Sequence, residues 1–186
     1  MRKIFAAVLA CSLLACNDSG TKTEVAKAES TEVAPAVPRL YGFTPGYSVS
    51  FAMDSVKNTE TVLELWSEWK SGDLSKSRAH FADTVAFYLA DGSSMVGPAD
   101  SLIKNMQAYR SSFKNMGVTV DAAFALKSTD KDENWVAIWG VETQTNAKGK
   151  TDTVSLQETW RFNKEGKADL MFQATRKGTL PPPPTK

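Results

Sequence analysis

Glu158 is the residue of this 186-residue chain best placed to do chemistry. Along its run Val154, Leu156, Trp160 and Phe162 share one face at a period of two, and Glu158 interrupts that apolar row. Thr153, Ser155, Gln157, Thr159 and Arg161 take the other face. A carboxyl group among apolar side chains holds its proton to higher pH unless a cation or several donors compensate. In one reading Glu158 is a pocket acid or base, or an acceptor that orients a ligand. In the other, the surface flares at this point and Glu158 reaches solvent or pairs with an arginine. His80, the sole histidine, sits beside Phe81. It could donate to a ligand, pair with Glu158 or Asp83, or serve only in packing. Asp83 itself is expected to cap a helix-to-strand junction.

Five tryptophans, with Tyr88 and Tyr109, are many large aromatics for a small domain. They are core residues in one reading, since aromatics dominate core burial. In the other, Trp66, Trp69, Tyr88, Tyr109, Trp139 and Trp160 line a pocket for an apolar or planar ligand. Trp135 and Trp139 share a strand face with Ala137 and Val141, while Val136 and Ile138 take the opposite one. Both faces are apolar, so this strand is expected to be covered on two sides or to join an oligomer interface, as in a homodimer.

Other chemistries are excluded by composition. Lys and Arg number 22 against 21 Asp and Glu, for a net charge of +1. A near-neutral chain without a basic stripe lacks the footprint of a nucleic-acid binder. The two cysteines, Cys11 and Cys16, both fall in the first sixteen residues, which leaves the rest without a thiol nucleophile or thiolate ligand. With one histidine, a histidine-based zinc site lacks ligands, and neither metal nor cofactor is expected.

Arg2-Lys3 followed by an apolar run to Leu14 has the layout of a secretory signal, and it is too short to span a bilayer. It ends in Leu13-Leu14-Ala15-Cys16, which resembles a lipobox, the motif whose cysteine is lipidated and becomes the mature N-terminus. Val8-Leu9-Ala10-Cys11 fits the same box after a shorter apolar run. The expectation is a signal over 1–15 and a bacterial envelope protein held to a membrane by lipid on Cys16. A linker follows to residue 40. Its Thr, Glu, Lys, Ala, Ser and Pro residues cannot bury enough apolar surface to offset ordering, and about 22 of them reach roughly 25 Å. A domain is expected over 41–178 and a proline-rich tail over 179–186, with Pro181 to Pro184 extended and read as a stop without function.

Within the domain, alternation predicts a strand over Tyr47–Met53. Asn58 is placed to cap a helix carrying Val62, Leu65, Trp66 and Trp69 on one face and ending at Gly72. A short helix over Leu74–Phe81 and a strand over Val85–Leu89 follow. Asp91-Gly92 then turns into Ser94-Met95-Val96. Pro98 opens a third helix with Leu102, Met106, Tyr109, Phe113 and Met116 on one face, stopped by Gly117. Four strands are predicted beyond it, over Val118–Lys127, Asn134–Thr145, Thr151–Asn163 and Lys167–Arg176. The class is α+β: a curved antiparallel sheet packed against about three N-terminal helices.

This order of elements resembles the SnoaL-like superfamily, the cone-shaped fold shared with ketosteroid isomerase and nuclear transport factor 2. The residues that carry the likeness are Trp69-Lys70-Ser71-Gly72-Asp73-Leu74, Phe81-Ala82-Asp83-Thr84-Val85, Asp91-Gly92 with Gly97, and Trp160-Arg161-Phe162-Asn163 with Gly166-Lys167. The resemblance implies a sheet wrapped round a pocket closed by helices, with His80 close to its floor. It also implies dimers through the open sheet face as a common arrangement. Ketosteroid isomerase combines an aspartate base with a tyrosine and a protonated aspartic acid that hold an oxyanion. Matching by motif puts Leu65 at the tyrosine position, Leu89 at the base position and Glu158 at the third, so the isomerisation is not expected. The expected function is lipid-anchored binding of a small apolar ligand or a protein partner without catalysis. The alternative is a hydrolase or lyase with Glu158 as acid or base, assisted by His80 or Tyr88.

Overall fold

The computed structural model describes residues 38–179; the leader with Cys11 and Cys16, nearly all of the linker and the prolines from Pro181 lie outside that range. Seven strands and two α-helices make one domain: β1 (Phe51–Met53), α1 (Val56–Ser71), a 3-10 turn (Ser77–His80), β2 (Phe81–Tyr88), β3 (Ser94–Pro98), α2 (Ala99–Arg110), β4 (Phe113–Ser128), β5 (Glu133–Asn146), β6 (Thr151–Phe162) and β7 (Ala168–Lys177). The strands form one sheet in the order β1-β4-β5-β6-β7-β2-β3. The architecture is the expected α+β cone. No helix among the described residues is long and apolar enough to cross a membrane.

The sheet is mixed rather than wholly antiparallel, because β2 runs parallel to β7, with Phe81 opposite Ala168 and Tyr88 opposite Phe172. The antiparallel expectation rested on local turn signals, and a pairing between strands this distant in sequence leaves none. The second expected helix, over Leu74–Phe81, shrinks to the four-residue 3-10 turn, since its stretch carries only a weak apolar stripe. The first strand shortens to three residues at the sheet edge.

α1 starts after Ser55, whose side chain makes no capping bond, and Asn58 lies inside the first turn and is buried. α2 stops at Arg110, six residues before the expected end. Ser111 and Ser112 donate their hydroxyls to the carbonyls of Gln107 and Tyr109, and the chain passes directly into β4. Phe113 and Met116 therefore continue the apolar spacing of α2 from a strand; Met116 is buried and Gly117 lies inside β4.

Alternation sorts the side chains of the sheet. Val136 and Ile138 on β5, with Leu156, Trp160 and Phe162 on β6, face α1 and join Val62, Leu65, Trp66, Phe81 and Phe87 in the core. Trp135, Ala137 and Trp139 face the other way. The first of these faces is called inner below and the second outer.

Candidate functional site

Glu158 lies on the inner face, 7% exposed, opposite Ile138 of β5 and Gln173 of β7. It neither reaches solvent nor meets an arginine. Its Oε2 accepts the indole N–H of Trp66 at 2.7 Å and of Trp160 at 3.0 Å. Its Oε1 accepts the amide N–H of Gln173 at 3.0 Å. Alternation along β6 and β7 points Trp160 and Gln173 inward, and α1 lays Trp66 across them. Burial raises the Glu158 carboxyl above its ordinary range; the three donors oppose this without cancelling it, and the charge of Glu142 adds to the rise.

A second buried carboxylate repeats the arrangement. Glu142, 4% exposed on β5, accepts the indole N–H of Trp69 at 2.5 Å and the side-chain amide of Gln144. Trp66 and Trp69 are three residues apart, so they project from the same side of α1. The helix is thereby fastened to the sheet by two indole-to-carboxylate bonds, one to each of two neighbouring strands. The inner row of β5 is Val136, Ile138, Gly140 and Glu142. Its acid was as readable as Glu158, but sequence reasoning followed the row only as far as Ile138.

Gly140 gives Trp66 its place. A Cβ there would stand 2.0 Å from the Thr119 carbonyl oxygen and 3.1 Å from Cζ3 of Trp66, where β4 bulges between Val120 and Ala122. Arg110, buried at the end of α2, holds the last turn of α1. Its guanidinium donates to the carbonyls of Trp69 at 2.6 Å and Lys70 at 2.9 Å, a cation on a helix C-terminus. That contact joins the ends of two helices distant in sequence, and no local pattern announces it.

The remaining expected site residues separate. Tyr109 stacks on Trp69 at the rim, ring centroids 6.2 Å apart, and is 56% exposed. Burial of its hydroxyl and the charges of Glu142 and Asp91 push that group up. Tyr88 and Trp139 are not in the interior. Tyr88 is out of phase with buried Phe87 and stacks on Phe172 at 5.2 Å; Trp139 is out of phase with buried Ile138 and meets Phe124 edge-on at 5.5 Å. Both belong to the outer face. His80 contacts Glu64 at 3.4 Å and Glu68 at 3.8 Å, both on α1, rather than Glu158 or Asp83. Asp83 caps nothing. It is an exposed β2 residue ion-paired with Arg78 at 2.5 Å. Leu65 is in the core and Leu89 packs against it, so both positions matched to the steroid-isomerase pair are apolar.

A general acid or base needs an atom within hydrogen-bond reach of its substrate. Both oxygens of Glu158 are already engaged by the protein. No buried side-chain nitrogen or oxygen among the described residues lacks a partner. Two cavities open elsewhere. One, of about 390 Å³, lies on the outer face beside Trp139, Gln157 and Ala174. The other, of about 580 Å³, is a mixed-charge cleft between the β4–β5 and β6–β7 turns, where Arg161 forks onto Asp169 at 3.0 and 3.2 Å. Neither is lined by a residue of the Glu158 cage. Among the described residues, no three His, Cys, Asp or Glu side chains gather as metal ligands.

No protein-family profile matches the chain. No curated protein matches it either. Solved structures do. An NTF2-like protein of unknown function from Burkholderia pseudomallei superposes with a TM-score of 0.52 at 21% identity, covering 64% of this chain and 90% of that one. A protein from Shewanella denitrificans assigned as a SnoaL-like polyketide cyclase gives a TM-score of 0.54 at 11% identity, over 64% and 90%. SalBIII, an epoxide hydrolase/cyclase-like enzyme with a role in pyran ring formation in salinomycin, gives 0.54 at 15% identity, over 66% and 93%. At these identities the likeness concerns the fold alone, and the fold of this chain is the NTF2-like, SnoaL-like cone.

Proposed function

We propose that this domain is a non-catalytic binding module of the bacterial envelope, held to the membrane by lipid on Cys16, and that it binds a protein through the outer face of its sheet. One observation carries the reading: that face carries apolar side chains on β4, β5, β7, β2 and β3, on both sides of a polar β6. Phe124, Ala137, Thr159, Phe172 and Tyr88 form one cross-strand row; Leu126, Trp135, Arg161, Leu170, Ala86 and Val96 form the next. Tyr88 is 43% exposed, Phe172 45% and Val96 66%. An exposed apolar patch such as the one around Tyr88, Phe172 and Val96 marks an interaction site, and flat aromatic anchors suit a protein surface. A second copy of the chain supplies a matching surface about a two-fold axis.

The enzyme alternative needs an oxygen of Glu158 within reach of a substrate, and both are buried and held by Trp66, Trp160 and Gln173. A small apolar ligand has the groove beside Trp139 as its place, in contrast to the packed interior.

The test is site-specific photo-crosslinking of the full chain in whole cells. A crosslinker at Phe172 is expected to trap a discrete protein product, and one at exposed Lys104 on α2 is not. Mass spectrometry of the product distinguishes a second copy from another envelope protein. Equal yields at the two positions would remove the outer face as the binding surface.

A further inference from the structure

We infer that the groove beside Trp139 is a binding site for a small amphipathic acid, a flat apolar body carrying one carboxylate, with Arg176 as the residue that holds the charge. The groove lies where β5, β6 and β7 adjoin on the outer face. Trp139, Gln157 and Ala174 make one cross-strand row there, and Ser155 and Arg176 belong to the next. The small side chains of Ser155 and Ala174, set among larger ones, leave a hollow of about 390 Å³, toward the lower end of the range for small-ligand sites.

Two donors on its wall stand apart from others of their kind. Four of the five indole N–H groups are bonded within the protein: those of Trp66 and Trp160 to Glu158, of Trp69 to Glu142 and of Trp135 to Tyr47. That of Trp139 has no acceptor among the described residues. It is not sealed in, because no buried side-chain nitrogen or oxygen among them lacks a partner. The arginines divide in the same way. Arg78 and Arg161 pair with Asp83 and Asp169, Arg110 holds carbonyls of α1, and Arg39 lies over the Tyr41 ring. Arg176 is exposed and makes no ion pair among the described residues. Its charge is the only one on the groove wall, which includes no acid. The hydroxyl of Ser155 is already given to the Gly178 carbonyl at 2.8 Å.

A guanidinium on an apolar wall without acids is complementary to a carboxylate, which its planar fork meets through two parallel bonds. The Gln157 amide in the adjoining row supplies a further donor. From the strand of Trp139 to that of Arg176 is two strand spacings, about 10 Å, a span that suits a two-ring aromatic acid with its rings on the indole. This gives a charge and a shape to the small ligand for which the groove was proposed above. It does not depend on a protein partner at the Tyr88–Phe172 end, which crosslinking at Phe172 reads separately.

The experiment labels the full 186-residue chain with 5-fluorotryptophan, which gives one fluorine resonance for each of five tryptophans; Trp139→Phe assigns the relevant signal. Titration with 2-naphthoate is expected to shift the Trp139 resonance saturably. The Trp66 and Trp160 resonances should stay in place, reporting an undisturbed interior. The neutral analogue 2-naphthylmethanol should bind about tenfold more weakly, as should 2-naphthoate to Arg176→Gln, a change at an exposed position that leaves the core intact. Arg176→Gln should not alter the affinity for the neutral analogue. No saturable shift at Trp139, or equal affinities for the acid and the alcohol, overturns the inference. So does naphthoate binding as tight in Arg176→Gln as in the wild type, or a shift at Trp66 and Trp160 in place of Trp139, which would put the ligand in the interior.

Discussion

The two faces of one sheet use the same residue types to opposite ends. On the inner face, Trp66 and Trp160 give their indole N–H groups to Glu158, Trp69 gives its own to Glu142, and the rings are packed in or beside the core. On the outer face, Trp135 donates to the hydroxyl of Tyr47 at 3.2 Å, and Trp139 and the stacked pair Tyr88–Phe172 carry their apolar surface without a covering layer. An aromatic-rich sequence thus does not by itself describe a pocket. What separates scaffold from binding surface is where each polar atom is satisfied and what lies above each ring. Here the inner face has its polar groups satisfied and its apolar groups covered, and the outer face has only the first.

The strongest challenge to that division is a change of one carbon on the inner side. Gly140→Ala would drive a Cβ to within 2.0 Å of a backbone oxygen and press on Trp66, so β4 and β5 would have to part. The expected loss exceeds about 4 kcal/mol, in the class of severe overpacking. Urea unfolding should show a collapsed midpoint or no cooperative transition. A variant as stable as the wild type would mean that the inner face is not tightly packed.

Glu158 gives the next largest effect and the sharper test. Glu158→Ala removes the acceptor of three donors and leaves a hole, an expected cost of roughly 3–5 kcal/mol. Glu158→Gln should cost less than about 1.5 kcal/mol. Its amide oxygen can take both indoles, and its NH₂ can face a flipped Gln173. The two variants also differ in pH response. Because the folded-state pKa of Glu158 is raised, the folded chain binds this proton more tightly than the unfolded chain does. The contribution is full below the ordinary carboxylate value and is lost as pH rises through the raised folded one. The gap in unfolding free energy between wild type and Glu158→Gln should therefore move against the wild type as pH rises across that window. Taking the difference removes the opposing slopes of exposed aspartates such as Asp91 and Asp130, whose pKa values are lowered by neighbouring hydroxyl and backbone donors. A pH-independent gap would mean that Glu158 is hydrated.

Much of this was written in local pattern. Alternation on β5 and β6 assigned the faces of Trp135, Ile138, Trp139 and Glu158 correctly, because a strand has only two sides. The same rule sets Tyr88 and Trp139 on the outer face, where Trp139 lines the groove beside Gln157. The parallel union of β2 with β7, the grip of Arg110 on α1 and the clash awaiting a Cβ at Gly140 depend on residues brought together from far apart. Spacing is silent there. His80 shows a further limit. Its sequence neighbours pointed to Asp83, whereas packing of the 3-10 turn against α1 gave it Glu64 and Glu68. The apolar spacing that ran from α2 into β4 misled for a physical reason as well, since Phe113 and Met116 continue a helical spacing from a strand.

The smallest expected change in stability lies on the outer face, and it carries as much information as the largest. Phe172→Ser removes one ring of the stack with Tyr88, worth about 0.5–1.5 kcal/mol between aromatic partners, from a position already nearly half open to water. Little desolvation is recovered by keeping that ring in the isolated domain, so the unfolding free energy from urea titration should fall by less than about 1 kcal/mol. The inner-face variants should lose several times as much. The effect of the same substitution on association should be disproportionate, because an exposed aromatic contributes when a partner removes its water. Photo-crosslinking from a neighbouring outer position such as Val96 should then drop at least severalfold while the fold persists. If Phe172→Ser instead destabilised the chain as much as Glu158→Ala, the ring would already be covered by the protein itself. The outer face would then be a second core.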